Sequence, residues 1–272
     1  MLKKRIIPVL LYKSGILVRS NQFDYYQSTG DPYTQIQRYV KWKADELIYI
    51  DISQDYLINL NDTMQVIGSI TGINIRNNEK HADFIGVIKN IAKQCFIPLT
   101  IGGNIRTIED VRLRIKNGAD KVAINSEIIL RPSFITEIVN EFGSQALVAS
   151  IDSKFKNGRW TVYSNKGSFD TNMDPVIWAK EVERLGVGEI LLNSIDRDGM
   201  GMGYDLQYIY NVSHAVKIPV IALGGVGDYS HLKQGLDAGA SALAAANLFH
   251  FREQSIIEAK KYLLNEGISV RI

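Results

Sequence analysis

Asp152 closes the run ALVASID (146–152), and Asp51 closes ELIYID (46–51). A carboxylate at the end of a buried strand can hold or release a proton for acid–base chemistry; it can equally anchor a loop or cap a helix. Four further places put small or hydroxyl-bearing residues directly after an apolar run: GGN at 102–104, NSE at 125–127, DRDG at 196–199 and GG at 224–225. Backbone N–H groups free of side-chain bulk can surround a phosphate there, above all where a helix N-terminus follows. Turn geometry alone would demand some of the same glycines. The phosphate candidates are Gly102, Gly103, Asn125, Ser126, Asp198, Gly199, Gly224 and Gly225, with Ala246 and Asn247 at the end of the last apolar run.

A second set of charges stands where the apolar runs begin: Arg5, Glu46, Lys121 and Glu189. Two cations and two anions can form a closed ring in which each compensates the burial of its neighbours. The other reading is four solvated strand starts. His214 and His231 fall on helical segments and read as surface residues. Cys95, the single cysteine, reads as packing; with four histidines and none near it, no zinc spacing can be drawn. Neither a metal nor a cofactor is expected, and a reducing, cytoplasmic setting suits a chain without a disulfide partner.

These residues need elements to position them. Eight apolar runs of strand length recur: RIIPVLL (5–11), ELIYID (46–51), IPLTI (97–101), KVAIN (121–125), ALVASID (146–152), EILLNSI (189–195), IPVIAL (218–223) and ALAAAN (242–247). Helix-period segments lie between them, such as Asp110 to Asn117 and Pro175 to Leu185, and several close on glycine (NGAD at 117–120, DAGA at 237–240). Continuous apolar runs alternating with helices indicate a parallel sheet covered on its outer face, and eight units indicate a (β/α)8 TIM barrel in one domain, residues 1–272. A doubly wound open sheet is the other architecture, but no GxGxxG follows the first strand.

The composition agrees with this reading. The 272 residues are 46% hydrophobic and 22% charged, with mean hydropathy −0.05, which fits one large core and argues against a disordered tail or several membrane spans. Lys+Arg 31 against Asp+Glu 29 gives +2, so no bulk positive field is available for nucleic acid. The N-terminal MLKKRIIPVLLYKSG has too short an apolar stretch and no small-residue cleavage site for a signal peptide, so it reads as the first buried strand.

The chain also resembles itself: IPLTIGGNI (97–105) pairs with IPVIALGGVG (218–227), and Gly118 with Gly239, at an offset of 121 residues. Duplication of a half-barrel accounts for this. The segment from Ser53 to about Phe84 breaks the pattern of short connections. Its NNEK stretch reads as a turn and LINLNDTMQVIGSI as a small hairpin or helix, an enlarged loop on the C-terminal rim where barrels build their sites.

KRIIPVL, GDP (30–32), DELIYIDI (45–52), GGNIRTIED (102–110), GADKVAIN (118–125), FGSQALV (142–148), GEILLNSIDRDG (188–199) and FHFRE (249–253) together resemble the cyclase subunit of imidazole glycerol phosphate synthase, the HisF family. SIDRDG and FHFRE favour this subunit over the related isomerase of the same pathway. The resemblance implies a barrel that binds a bisphosphate at its top and admits ammonia through its floor from a docked HisH-like glutaminase. On that basis Arg5, Glu46, Lys121 and Glu189 are the ammonia gate and Asp152 is catalytic.

Two departures stand out. The family's acid/base pair places one aspartate at the end of strand 1 and one at the end of strand 5; IDSK keeps Asp152, whereas VLLYKSG has Leu11 at the first place. Leucine transfers no proton, and loss of a positioned acid or base costs about 10²–10⁴-fold in rate. The glycine triplet reads GGN, with Asn104 in place of the third glycine. These changes suggest a paralogous branch that works with the glutaminase and a separate sugar amidotransferase to convert an acetamido group of a surface sugar into an acetamidino group. The alternatives are the authentic histidine-pathway cyclase and a non-enzymatic, glutaminase-activating scaffold.

Overall fold

A computed structural model describes residues 3–53 and 84–271. Among the described residues twelve strands form one sheet: β1 (Arg5–Lys13), β2 (Ile16–Asn21), β3 (Tyr25–Gly30), β4 (Leu47–Asp51), β5 (Leu99–Gly102), β6 (Lys121–Ile124), β7 (Leu147–Lys156), β8 (Arg159–Ser164), β9 (Phe169–Asp170), β10 (Glu189–Ser194), β11 (Val220–Leu223) and β12 (Ala242–Ala245). Eight of them, β1, β4, β5, β6, β7, β10, β11 and β12, pair in parallel in that order, and β12 returns to β1. The sheet is therefore closed, and its helices pack outside it as a (β/α)8 barrel.

The eight barrel strands are those of the apolar runs. The four extra strands are two hairpins, β2–β3 continuing from β1 and β8–β9 continuing from β7, all antiparallel. They escape a search for apolar runs because β3 (YYQSTG) has no buried residue and β8 (RWTVYS) mixes hydroxyl and aromatic side chains. The stretch proposed as a small hairpin or helix after β4 lies outside the described residues.

Local signals set the helix ends. Asp31 and Asp174 each accept two backbone N–H bonds as N-caps, each followed by a proline at the first helical position, where no N–H is required. Thr107 and Asp110 form a capping box on the helix Ile108–Lys116, and Asp228 and His231 form its counterpart on Tyr229–Asp237. His231 is thus half-buried and holds the chain at Gly227 and Asp228, whereas His214 is exposed and lies against Tyr210.

The internal repeat is visible element by element. β5, the helix Ile108–Lys116, β6 and the helix Ser126–Leu130 recur at an offset of 121 residues as β11, Tyr229–Asp237, β12 and Asn247–Phe251. In this register Gly103 matches Gly224, and Asn104 matches Gly225, so the two glycine pairs are offset by one from the match suggested by GG alone. Backbone conformation follows the register: φ is +92° and +100° at the first pair, +52° and +96° at the second. Asparagine is the side-chain-bearing residue that enters the left-handed region most readily, which is why Asn104 can stand where the other half has glycine.

Strand alternation divides the interior into two layers. One set of side chains faces the helices; the other fills the barrel lumen as Ile7, Val9, Ile48, Ala123, Val148, Leu191, Ile221, Ala242 and Ala244. Leu11, Ile50, Leu223 and Ala246 complete this apolar column at its C-terminal end. The lumen is a packed core with charge at one end and a polar cluster at the other.

Candidate active site and barrel floor

The floor is built by the first lumen-facing residue of four strands or of the turns leading into them. Arg5 Nη1 lies 2.6 Å from Glu46 Oε1 and 3.1 Å from Glu189 Oε1. Lys121 Nζ lies 3.2 Å from Glu46 Oε2 and 3.0 Å from Glu189 Oε1. Each cation meets both anions, so the four groups form a closed ring, their side chains only 8–16% exposed. Burial disfavours the Arg5 charge, but Glu189 and Glu46 outweigh it and hold the guanidinium above its ordinary pKa. The structure therefore brings the four strand-start charges together rather than leaving them solvated. Nearby, Lys260 forms a second buried pair with Asp45 at 2.8 Å, while Asp45 also accepts from Ile6 N.

At the opposite end, Asp152 faces the lumen from β7. Asn125 Nδ2 donates to its Oδ2 at 2.6 Å, Asn193 Nδ2 donates to its Oδ1 at 3.2 Å, and Ser150 Oγ lies 3.5 Å away. Burial pushes the carboxyl up to about 6; the bonds from Asn193 and Asn125 oppose the rise and the Asp198 charge adds to it. A carboxyl in this range can exchange a proton near neutrality. Leu11, two residues beyond Val9 on β1, occupies the mouth with an apolar side chain.

Asn193 carried no weight in the sequence reading, yet it is one of the two amides on Asp152. Its signal was available: Asn193 lies four residues after Glu189 on the same strand and so shares the lumen-facing parity. Asp51 has the opposite parity. It alternates with Glu46, Ile48 and Ile50, and its carboxylate accepts from Ser53 N at 2.9 Å and from Asn104 Nδ2 at 3.0 Å. Asp51 is thus a loop anchor and not a second acid at the mouth.

The phosphate candidates separate into three groups. Asp198, Gly199, Gly224, Gly225, Ala246 and Asn247 line one small cavity beside the ends of β11 and β12. One half-repeat away, Gly102 ends β5 and Gly103 opens the turn after it. Asn125 and Ser126 are already engaged: Asn125 Nδ2 also donates to Tyr163 O at 3.2 Å, and Ser126 Oγ accepts from Asn165 N at 2.9 Å. Close backbone approach accounts for several glycines without any ligand, since a Cβ on Gly103 would stand 2.0 Å from Asp51 O and one on Gly225 2.2 Å from Gly203 O. Hairpin β2–β3 closes over the DRDG turn, with Gln22 N donating to Asp198 O at 3.0 Å.

Cys95 packs against the core as a half-buried residue. Among the described residues no group of three or more His, Cys, Asp or Glu side chains is placed to hold a metal ion, and no helix is long and apolar enough to cross a membrane.

Residues 70–255 match the family model described as histidine biosynthesis protein. The match spans β5 to β12, both halves of the repeat, Asp152 with its two amides, and two members of the charged ring. With well over half of its length matched, six of the eight barrel strands among the matched residues, the chain belongs to the histidine biosynthesis protein family.

Proposed function

We propose that this barrel is the ammonia-receiving subunit of a glutamine-dependent complex, with a HisH-like glutaminase docked on the face that carries Arg5, Glu46, Lys121 and Glu189. The closed ring of four charges beneath an apolar lumen carries this reading. A buried ion network is weak evidence for stability, because desolvation offsets much of the attraction, so its presence at one end of the apolar lumen favours a functional role. Neutral ammonia is small and crosses an apolar lumen without the desolvation cost an ion would carry.

Leu11 supports the branch in which the acceptor is an acetamido sugar handled by a separate sugar amidotransferase, since the mouth then has no need of a second acid. The phosphorylated ligand of this reading would sit against the turns of Gly102 and Gly103 in one half and of Gly199, Gly224 and Gly225 in the other. The chain retains one observation in favour of the histidine-pathway cyclase, the raised carboxyl of Asp152. Affinity capture of the chain with a co-expressed HisH-like glutaminase tests the proposal: a stoichiometric complex supports it, and a chain that stays monomeric in its presence contradicts it.

A further inference from the structure

Val111 and Arg114 are the buried positions of the helix Ile108–Lys116, and Arg114 is only 5% exposed. A buried guanidinium is costly unless its N–H groups find acceptors. Arg114 finds them in the backbone: Nη2 donates to Gly103 O at 2.8 Å and to Asn104 O at 3.2 Å, and Nη1 donates to Asp110 O at 2.9 Å. One side chain thus ties the GGN turn after β5 to the helix that follows it. On its other flank the turn is held by Asn104 Nδ2, which donates to Asp51 at 3.0 Å.

The bonds to Arg114 fix the N–H groups of the turn as well. A trans peptide is planar, so a carbonyl turned to one side sends the N–H of the same peptide unit to the other. With the carbonyls of Gly103 and Asn104 directed at Arg114, the N–H groups of Asn104 and Ile105 point away from it. Gly103 and Asn104 both lie in the left-handed region, with φ +92° and +52°, and successive N–H groups in such a turn make a concavity for an anion. Among the described residues neither N–H donates to another group of the chain, although Ile105 is only 5% exposed. Buried N–H groups nearly always have acceptors, so these two await one from outside the fold.

The other half of the repeat is built without this device. At the offset of 121 residues Arg114 corresponds to Gly235, where a Cβ would stand 2.7 Å from Tyr204 Cδ2, so the tyrosine ring takes the space. Asn104 corresponds to Gly225, whose carbonyl accepts from Gly203 N at 2.7 Å. A buried guanidinium therefore holds the turn carbonyl in one half, and a backbone N–H holds it in the other. We propose that Arg114 is a positioning residue for phosphate in the half that carries β5 and β6: by holding two carbonyls it presents the N–H groups of Asn104 and Ile105 to a phosphate oxygen. Asp51 and Asp110 stand close to the same turn, so orientation, rather than net charge, is what Arg114 supplies. The inference rests on the reading of the ligand as phosphorylated and names the side chain that prepares one end of its site.

The test follows backbone amides of the intact chain by NMR through a titration with inorganic phosphate, with Gly225 as the reporter for the other half. In the unmodified chain the Asn104 and Ile105 amides should shift and saturate. In Arg114→Met the phosphate Kd read at these amides should rise by about tenfold, since a preorganised turn and its charge-assisted bonds are lost, while the Kd read at Gly225 stays unchanged. Arg114→Lys, which keeps donors for the two carbonyls, should lie between the two. An unchanged Kd at Asn104 and Ile105 in Arg114→Met overturns the proposal, as does an equal rise in both halves, which would make Arg114 a residue of general stability. The unmodified chain decides without any variant: phosphate shifts at Gly225 alone remove the role of Arg114 and leave the phosphorylated-ligand reading, whereas shifts in neither half remove both.

Discussion

Asn193 and Asp152 stand directly opposite one another on adjacent parallel strands, β10 and β7, and the amide nitrogen of Asn193 donates to the carboxylate at 3.2 Å. Both residues face the lumen. The acid at the barrel mouth is therefore fixed by strand register as well as by its own strand, and its proton affinity depends on a neighbour 41 residues away in sequence.

The raised carboxyl of Asp152 makes stability depend on pH in a definite direction. An unfolded aspartate titrates near 3.9, whereas burial pushes Asp152 up to about 6, so the native state holds this proton longer. The contribution is fully present below about pH 4, is lost as pH rises through 6, and is flat above. It amounts to about 3 kcal/mol, and Asp152→Asn should remove this pH dependence. Urea unfolding from pH 4 to 8 checks it: parallel stability curves for the two proteins would contradict the assignment.

Asn104 is held by backbone conformation and by its bond to Asp51. Asn104→Gly keeps the left-handed conformation and loses only the bond, whereas Asn104→Ala loses both. The alanine variant should be less stable than the glycine variant by about 1 kcal/mol, read from urea midpoints. Equal stabilities would show that the strain is absent. Gly103→Ala should cost more than either, because its Cβ would meet the Asp51 carbonyl oxygen at 2.0 Å.

Leu11 predicts slow cyclisation. Given the histidine-pathway bisphosphate and ammonium, the chain should turn over well below the ~10 s⁻¹ typical of enzymes. Leu11→Asp should raise the rate by about 10²-fold or more, since acid and base would then share the mouth with Asp152 already protonatable. An ordinary rate for the unmodified chain would favour the histidine-pathway reading instead.

Much of this architecture was legible in the residues. RIIPVLL, KVAIN and EILLNSI read as strands because strands buried on both faces are near-continuous apolar runs, and Arg5, Lys121 and Glu189 stand out as charges at their starts. Whether those charges met was not legible, since closure depends on the stagger of strands around the barrel. Asn193 was missed because nothing in its local sequence marks it; parity places it in the lumen, and the register of β10 against β7 sets it on Asp152. Asp51 misled in the opposite way, being the right residue type at a strand end on the wrong face. The hairpins β2–β3 and β8–β9 were missed because β3 buries no residue and β8 buries hydroxyl and aromatic side chains in place of an apolar run.

The nitrogen source separates the proposed conduction through the ring from every structural role of the same charges. In the complex reconstituted with a HisH-like glutaminase and the sugar amidotransferase, product formation by Lys121→Ala is compared with glutamine and with ammonium as donor, folding being checked by circular dichroism. If ammonia passes the ring, the glutamine-dependent rate falls by about tenfold or more, a change of about 1.4 kcal/mol in the barrier, while the ammonium-dependent rate stays close to that of the unmodified complex. Equal loss with both donors would contradict it and return Arg5, Glu46, Lys121 and Glu189 to the role of strand-end ion pairs.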